Sequence, residues 1–152
     1  MLARLRTVAV AAAVVATALV VTPGRAAAAT WDGQMAANTS CANGATTAVQ
    51  RTISTNTQLG TVIGKVELRY SSSCRTVWTR VTSTAVSSAY IGGYVQRNSD
   101  GAYYQCSESG WSDNLGAYYC LTAMLNDKDV TSYAKGGIQY QGATYTGQTS
   151  NY

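Results

Sequence analysis

Apolar and polar residues alternate with a period of two between Gly60 and Val81, and this stretch predicts the architecture more clearly than any other. One side of the alternation is apolar and the other is polar, as in a half-buried strand: Val62, Val66, Leu68 and Tyr70 against Thr61, Lys65, Glu67 and Arg69. Cys74 follows a serine cluster, and a second β-branched and aromatic segment begins at Thr76. We therefore predict a hairpin in which Val62, Val66 and Leu68 are core and Glu67 lies on a charged, solvated outer face.

Short alternating segments continue along the rest of the chain. They run over residues 47–53, 89–96, 101–106, 116–125 and 136–145, separated by turn residues such as Asn98 to Gly101. No convincing apolar period of 3.6 residues occurs after residue 30. The pattern predicts an all-β fold, a small antiparallel sandwich or barrel that is mostly a meander and is stapled by two disulfides.

The first 29 residues have the order of a secretory signal peptide. Arg4 and Arg6 precede an apolar run from Val8 to Val21, which is followed by a proline, a glycine and a string of alanines. The apolar run is shorter than the roughly 20 residues that span a bilayer, so a membrane anchor is the weaker alternative. We predict cleavage near residue 29, an extracellular location and no membrane association after cleavage.

Removal of this segment changes the charge argument. The whole chain has 152 residues and a formal charge of +4, but three of its eleven basic residues lie in the predicted signal peptide, which leaves a mature charge of +1. A nucleic-acid partner is therefore not expected. The predicted mature chain, 30–152, suits a single secreted β-domain: an arm and first strand over 30–59, core hairpins over 60–99 and a disulfide-braced extension over 100–152.

The four cysteines all lie in the predicted mature chain. An even number of cysteines in an exported protein indicates disulfides, whereas a zinc site would need closer spacing and reduced thiolates. Three connectivities are possible, and we predict Cys41 with Cys74 and Cys106 with Cys120, so that each bridge closes one half of the domain.

The sequence lacks the residue types of the commonest catalytic sites. It contains no histidine, which removes Ser-His-Asp and Cys-His sites and the commonest general base. We predict a non-enzymatic protein without a cofactor or a resident metal. A turn containing Asn126, Asp127 and Asp129 has oxygens suited to calcium, but it lacks the spacing of an EF-hand loop, so a plain turn is the better interpretation.

The loop from Ser107 to Ala117 combines acids with an aromatic residue, and three interpretations remain open for it. Trp111 and Asp113 are candidates for a binding surface. Glu108 with Asp113, or Glu67 with another acid, would suit a carboxylate-dependent cell-wall or glycan hydrolase. The same loop, braced by a disulfide, would suit a secreted protease inhibitor.

Several motifs together resemble a known family. Trp31-Asp32-Gly33 near the predicted mature start, Cys41, and the segment VELRYSSSC followed by Trp78 resemble the YjfA-like family of small secreted bacterial proteins, which carry a domain of unknown function. The resemblance covers residues 31–81, and the proline that precedes the first cysteine in the family is absent here. It implies partner binding, as a small adaptor subunit of a secreted antibacterial protein assembly, and no catalytic residues.

We therefore predict a secreted binding or adaptor module that engages another extracellular protein or a cell-envelope glycan. The arm ahead of Cys41 is predicted to be unpaired and free to dock on a partner, so Trp31, Asp32 and Gly33 join the candidate binding residues. Tyrosine and tryptophan, the residue types favoured at interfaces, supply all the aromatic side chains of the chain.

Overall fold

The computed structural model describes residues 31–56 and 60–152, so the predicted signal peptide lies outside the described residues. The fold is all-β, as predicted, with short 3-10 turns at Ala36–Asn38, Ser40–Ala42 and Ser88–Tyr90. The strands are β1 (Thr46–Ser54), β2 (Val62–Ser71), β3 (Thr76–Ser83), β4 (Ile91–Arg97), β5 (Tyr103–Ser112), β6 (Ala117–Thr122), β7 (Leu125–Asn126), β8 (Ser132–Tyr140) and β9 (Ala143–Gln148). No helix among the described residues is long and apolar enough to cross a membrane.

All pairings of the sheet are antiparallel, in the order β1-β2-β3-β6-β5-β4-β8-β9, with β7 pairing with β3. Most neighbours are consecutive in sequence, and the exceptions are β3 with β6, β3 with β7 and β4 with β8. The ends of this order curl towards each other, because a methyl group placed on Gly147 of β9 would lie 3.0 Å from Cγ1 of Ile53 in β1. The result is a nearly closed barrel.

The barrel interior is filled by aliphatic side chains from alternate positions of the strands. The fully buried members include Ile53, Ile63, Val66, Leu68, Val77, Val81, Val95 and Ile138. Because the segment after residue 100 contributes β5 to β9, and β6 lies directly beside β3, this segment completes the same barrel.

A bulge in β2 explains why one predicted core residue is exposed. Ile53 is opposite Gly64 and Ser54 is opposite Val62, so Ile63 is an extra residue on β2. Such a bulge changes the side of the sheet to which the neighbouring side chains point. The core prediction is therefore right for Val66 and Leu68, but it is wrong for Val62, which is 63% exposed while Ile63 is buried.

A second apolar cluster lies on the outer side of the sheet. Trp78 of β3 packs there with Ala36, Cys41 and Met124, and Trp31 packs against the same group. The Cys41–Cys74 disulfide holds the arm, residues 31–45, against this outer side, with a Cα–Cα distance of 5.5 Å. Both predicted disulfides are present, and each links positions whose Cα separation is normal for such a bond.

The second disulfide joins β5 to β6 at a bulge. A simple hairpin with Cys106 opposite Cys120 would place Tyr104 opposite Thr122. In the structure Cys106 is opposite Thr122 and Ser109 is opposite Cys120, because the register shifts between Cys106 and Glu108. The disulfide therefore crosses the ladder diagonally, with a Cα–Cα distance of 5.7 Å.

Candidate functional site

The most exposed aromatic side chain of the predicted binding loop stands near the tip of the β5–β6 hairpin. Trp111 is 51% exposed, its ring meets the ring of Tyr118 edge-on with centroids 5.0 Å apart, and its Nε1 donates a hydrogen bond to Asp113 Oδ1 at 2.8 Å. The turn closes through the left-handed conformation of Gly116, which leaves Leu115 at the tip 41% exposed. These contacts hold an apolar tip in a fixed orientation.

This tip forms one wall of a groove of about 350 Å³, which we call the Trp111 groove. The arm forms the opposite wall with alanine side chains, and the outer faces of β2, β3 and β6 form the floor. The lining includes Ala36, Ala42, Ala45, Arg69, Trp78, Arg80, Trp111, Leu115, Tyr119 and Leu121. The surface is therefore apolar and aromatic with two guanidinium groups, a composition typical of recognition sites.

A buried carboxylate lies under the two arginines. Glu67 is only 2% exposed and accepts hydrogen bonds from Arg80 Nε at 2.8 Å and Nη2 at 3.1 Å, from Thr47 Oγ1 at 3.0 Å and from Lys65 Nζ at 3.3 Å. Burial alone would raise the pKa of Glu67. The hydrogen bonds and charge of Arg80, the hydrogen bond from Thr47 and the charge of Lys65 outweigh burial and hold this pKa below its usual value. Glu67 is thus a fixed anion.

The prediction of a solvated Glu67 is wrong, although its ion pairs are real. Alternation assigned it to an outer face, and it does lie there, but that face is covered. Arg69 extends across it, donating through Nη1 to Thr47 Oγ1 at 2.5 Å and through Nη2 to the Ala45 carbonyl at 2.7 Å. The arm and the neighbouring long side chains therefore bury the carboxylate.

The Trp31-Asp32-Gly33 motif fastens the arm to the barrel. Asp32 Oδ2 accepts a hydrogen bond from Arg97 Nη1 at 3.1 Å, and Oδ1 accepts one from the backbone N–H of Asn126. Gly33 N–H donates to the Met124 carbonyl at 3.0 Å, and Gly33 has a positive φ that favours glycine. The prediction of an unpaired arm is wrong, because these contacts pair it with the segment after β6.

The five candidate binding residues do not form one site. Trp111 and Asp113 lie together at the hairpin tip, and Trp31 is half-buried in the outer cluster that includes Trp78 beneath the groove. Asp32 and Gly33 do not line the groove. The groove residues that sequence reasoning missed include Leu115, Tyr119, Arg69 and Arg80. Of these four, only Leu115, an apolar residue in a polar turn, carried a local signal.

The remaining acids of the loop are held by neighbours. Glu108 Oε1 accepts a hydrogen bond from Tyr119 Oη at 3.2 Å, while Asp113 accepts the one from Trp111. Within 31–56 and 60–152, no group of three or more His, Cys, Asp and Glu side chains could hold a metal ion. The acids of the turn considered for calcium have separate partners. Asp129 pairs with Arg75 at 2.9 Å, and Asp127 is buried and accepts a hydrogen bond from Ser132.

Asp127 gives the fold a predictable pH dependence. Its burial raises its pKa to about 6, which the hydrogen bond from Ser132 and the charges of Arg97 and Arg75 only partly offset. A carboxyl group with a raised pKa binds more protons in the folded state than in the unfolded state. The free energy of unfolding therefore falls as the pH rises from about 4 to 7. A shift of about two units corresponds to at most ~3 kcal/mol.

We therefore expect Asp127→Asn to increase stability at pH 7 by about 1 to 2 kcal/mol and to flatten the dependence between pH 4 and 7. Asparagine keeps an oxygen that can accept the Ser132 hydroxyl. Urea unfolding at several pH values measures the effect, and Asp129→Asn serves as the control because Asp129 is exposed. An unchanged pH slope in Asp127→Asn would contradict the assignment.

These features define a disulfide-bonded β-barrel protein with an apolar, arginine-lined groove on its outer side. The family model described as "Protein of unknown function (DUF2690)" matches residues 29–135. The chain is also 34% identical over 120 residues to "Uncharacterized protein YjfA" of Bacillus subtilis (strain 168), covering 75% of this chain and 74% of that protein. No solved structure matches the chain.

The chain therefore belongs to this family of unknown function, and the resemblance seen in the sequence is confirmed. The match also extends to residue 135, well beyond the motifs between Trp31 and Val81. This agrees with the fold, in which the later strands complete the barrel that the earlier strands begin.

Proposed function

We propose that this protein is a secreted, non-enzymatic binding module whose Trp111 groove receives a segment of another extracellular protein. The observation that carries the proposal is the exposed apolar tip, Trp111 and Leu115, held rigidly beside the groove. An exposed tryptophan next to an apolar depression is typical of an interface hot spot. A rigid tip also lowers the entropic cost of association.

The charge of the groove selects the partner's chemistry. Arg69 and Arg80 line the groove above one buried carboxylate, Glu67, which Lys65 also contacts from outside the lining, so positive charge exceeds negative charge at the groove floor. Burial and the neighbouring charge of Arg80 lower the pKa of Arg69, as expected where guanidinium groups lack sufficient counter-charge. We therefore expect the partner segment to present an apolar side chain next to an aspartate or glutamate.

The chemistry of the acids favours binding over hydrolysis. A general acid needs a raised pKa, whereas the pKa of Glu67 is lowered and its oxygens are occupied by Arg80, Lys65 and Thr47. Glu108 is engaged by the Tyr119 hydroxyl. The protease-inhibitor alternative has less support, because most of Ser107 to Ala117 is regular strand.

Two disulfides support secretion, since such bonds persist in oxidising compartments. An extracellular adaptor role within an antibacterial assembly, which the family resemblance implies, would use the Trp111 groove as its contact. The same groove would serve an adaptor for any other extracellular protein.

The test is capture of binding partners by the purified mature protein from the culture supernatant of the producing strain. We expect Trp111→Ala and Leu115→Ala each to weaken binding of the captured protein about tenfold or more, with the melting temperature unchanged. Val62→Ala is the matched control, because Val62 is an exposed apolar residue that lies outside the groove. Equal binding by Trp111→Ala and the wild type would contradict the proposal.

A further inference from the structure

A second outer surface of the barrel differs in chemistry from the Trp111 groove. It is formed by β4, β8, β9 and the part of β5 that ends at Ser107. We call it the tyrosine–glutamine face. Alternation along these strands turns one set of side chains into the core and the other set outward. The outward set is Tyr103, Gln105 and Ser107 of β5, Gly92, Tyr94 and Gln96 of β4, Tyr133, Lys135, Gly137 and Gln139 of β8, and Thr144, Thr146 and Gln148 of β9.

At both glycines of the outward set, Gly92 and Gly137, the packing leaves room for a larger side chain. A methyl group on Gly92 would meet nothing within 4 Å, and one on Gly137 would make only ordinary contacts at 3.8 Å or more. By contrast, methyl groups on Gly93 and Gly136, which face inward, would lie 2.8 Å from Val81. Glycine weakens a strand interior, and where close packing does not require it, it marks a bend of the strand or a site that a ligand approaches closely.

Because Gly92 and Gly137 carry no side chains, the surface has a depression of about 440 Å³ there. Its lining includes Gly92, Gly137, Tyr94, Gln105 and Lys135. A second depression of about 400 Å³ lies beside it, lined by Tyr94, Gln96, Gly101, Tyr103 and Gln105. The two share Tyr94 and Gln105. Because alternate residues of a strand are about 7 Å apart, the depressions follow one another along β4.

Aromatic rings and amides are arranged regularly over these depressions. The Tyr94 ring lies between the rings of Tyr103 and Tyr133, with centroid distances of 6.4 Å and 6.1 Å. The Tyr133 hydroxyl donates to Gln96 Oε1 at 2.6 Å, which fixes the amide and leaves its NH₂ group available to point outward. The face therefore offers apolar ring faces next to paired donors and acceptors.

We propose that the tyrosine–glutamine face binds an extended, neutral polysaccharide chain, with consecutive sugar units in the two depressions. Sugar rings present apolar C–H faces that pack on tyrosine, and hydroxyl groups that pair with amides and hydroxyls. The only charged side chain of the outward set is Lys135, which is too few charges to hold a polyanion.

The experiment uses the purified mature protein and five probes: insoluble chitin, insoluble cellulose, the soluble hexasaccharide of each, and an anionic polyuronate. We expect retention on at least one neutral polysaccharide and binding of the matching hexasaccharide, both insensitive to salt. We expect Gly92→Val, which fills the first depression, and Tyr103→Ala, which removes a ring, each to weaken binding about tenfold.

The glycine variant separates binding from folding. Valine is favoured in strands and meets no obstacle at position 92, so Gly92→Val is expected to melt at or above the wild-type temperature while losing binding. Tyr90→Ala is the matched control for Tyr103→Ala, because Tyr90 is 52% exposed but lies outside the face. Trp111→Ala should bind the polysaccharide normally, which distinguishes this site from the Trp111 groove.

The proposal is overturned if no neutral polysaccharide or hexasaccharide binds, if only the polyuronate binds and salt releases it, or if Gly92→Val binds as tightly as the wild type. None of these results depends on identifying a protein partner, so failure of the polysaccharide site and failure of the Trp111 groove are distinguishable.

Discussion

Substitution of Glu67 by alanine is expected to lower the free energy of unfolding by about 3 to 5 kcal/mol. The carboxylate is 2% exposed and compensates Arg80 and Lys65 while also accepting a hydrogen bond from Thr47. Its removal would leave Arg80, itself largely buried, without a counter-charge beside Arg69. Breaking such a pair costs more than the pair contributes, because the remaining ion stays desolvated.

Thermal and urea unfolding measure this effect, and the melting temperature should fall by about 10 °C or more. Lys65→Ala is the matched control, because Lys65 contacts the same carboxylate at 3.3 Å but is about half exposed, so its loss should cost under about 1 kcal/mol. If Glu67→Ala and Lys65→Ala lower stability equally, the carboxylate is solvated and our description of the groove floor is wrong.

Loss of the Cys41–Cys74 disulfide is expected to lower stability by about 4 kcal/mol on the chain-entropy account, which is model-dependent. The bridge joins residues 33 apart in sequence and holds the arm over Trp78 and Met124. The double substitution Cys41→Ser with Cys74→Ser should therefore release one wall of the Trp111 groove. Tryptophan fluorescence should shift to longer wavelength as Trp31 and Trp78 gain exposure.

The Cys106–Cys120 bridge is the matched control. It joins residues only 14 apart, so its loss should cost about 3 kcal/mol on the same account. Its cysteines pack in the interior cluster of the barrel and not in the outer cluster that includes the arm, so the double serine variant at Cys106 and Cys120 should keep the native fluorescence under folding conditions. A fluorescence shift of equal size in both variants would show that the arm does not depend on the first bridge.

Much of the fold was predictable because strand patterns are local. The alternation between Gly60 and Val81 identified β2 and β3, and cysteine spacing with an even count identified the two disulfides. Val62 was misassigned because the bulge at Ile63 depends on how β2 pairs with β1. The diagonal position of the Cys106–Cys120 bridge likewise depends on a register shift between partner strands.

The site was only partly predictable, for a related reason. Trp111 and Asp113 were recognisable as an aromatic residue and an acid in one loop, and the structure joins them by a hydrogen bond. Burial of Glu67 depends on Arg80, 13 residues later, and on Thr47, 20 residues earlier. Docking of the arm depends on contacts such as Asp32 with Arg97, which are distant in sequence and carry no periodic signal.

The two proposed surfaces suit a bridging role. The Trp111 groove lies on the outer side of β2, β3 and β6, whereas the tyrosine–glutamine face lies on the outer side of β4, β8 and β9. Their chemistries also differ, since one is cationic and apolar and the other is nearly uncharged and rich in hydroxyl and amide groups. A protein partner and a polysaccharide could therefore be held at the same time.

Site-specific crosslinking is the most direct test of the Trp111 groove as a protein-binding site. A photoreactive amino acid placed at Leu115, and in a matched variant at the more exposed Val62, is irradiated with the culture supernatant of the producing strain. We predict one discrete crosslinked protein from position 115, none from position 62, and competition by unlabelled wild-type protein but not by Trp111→Ala. Equal crosslinking from both positions, or competition by Trp111→Ala as strong as that by the wild type, would contradict the account.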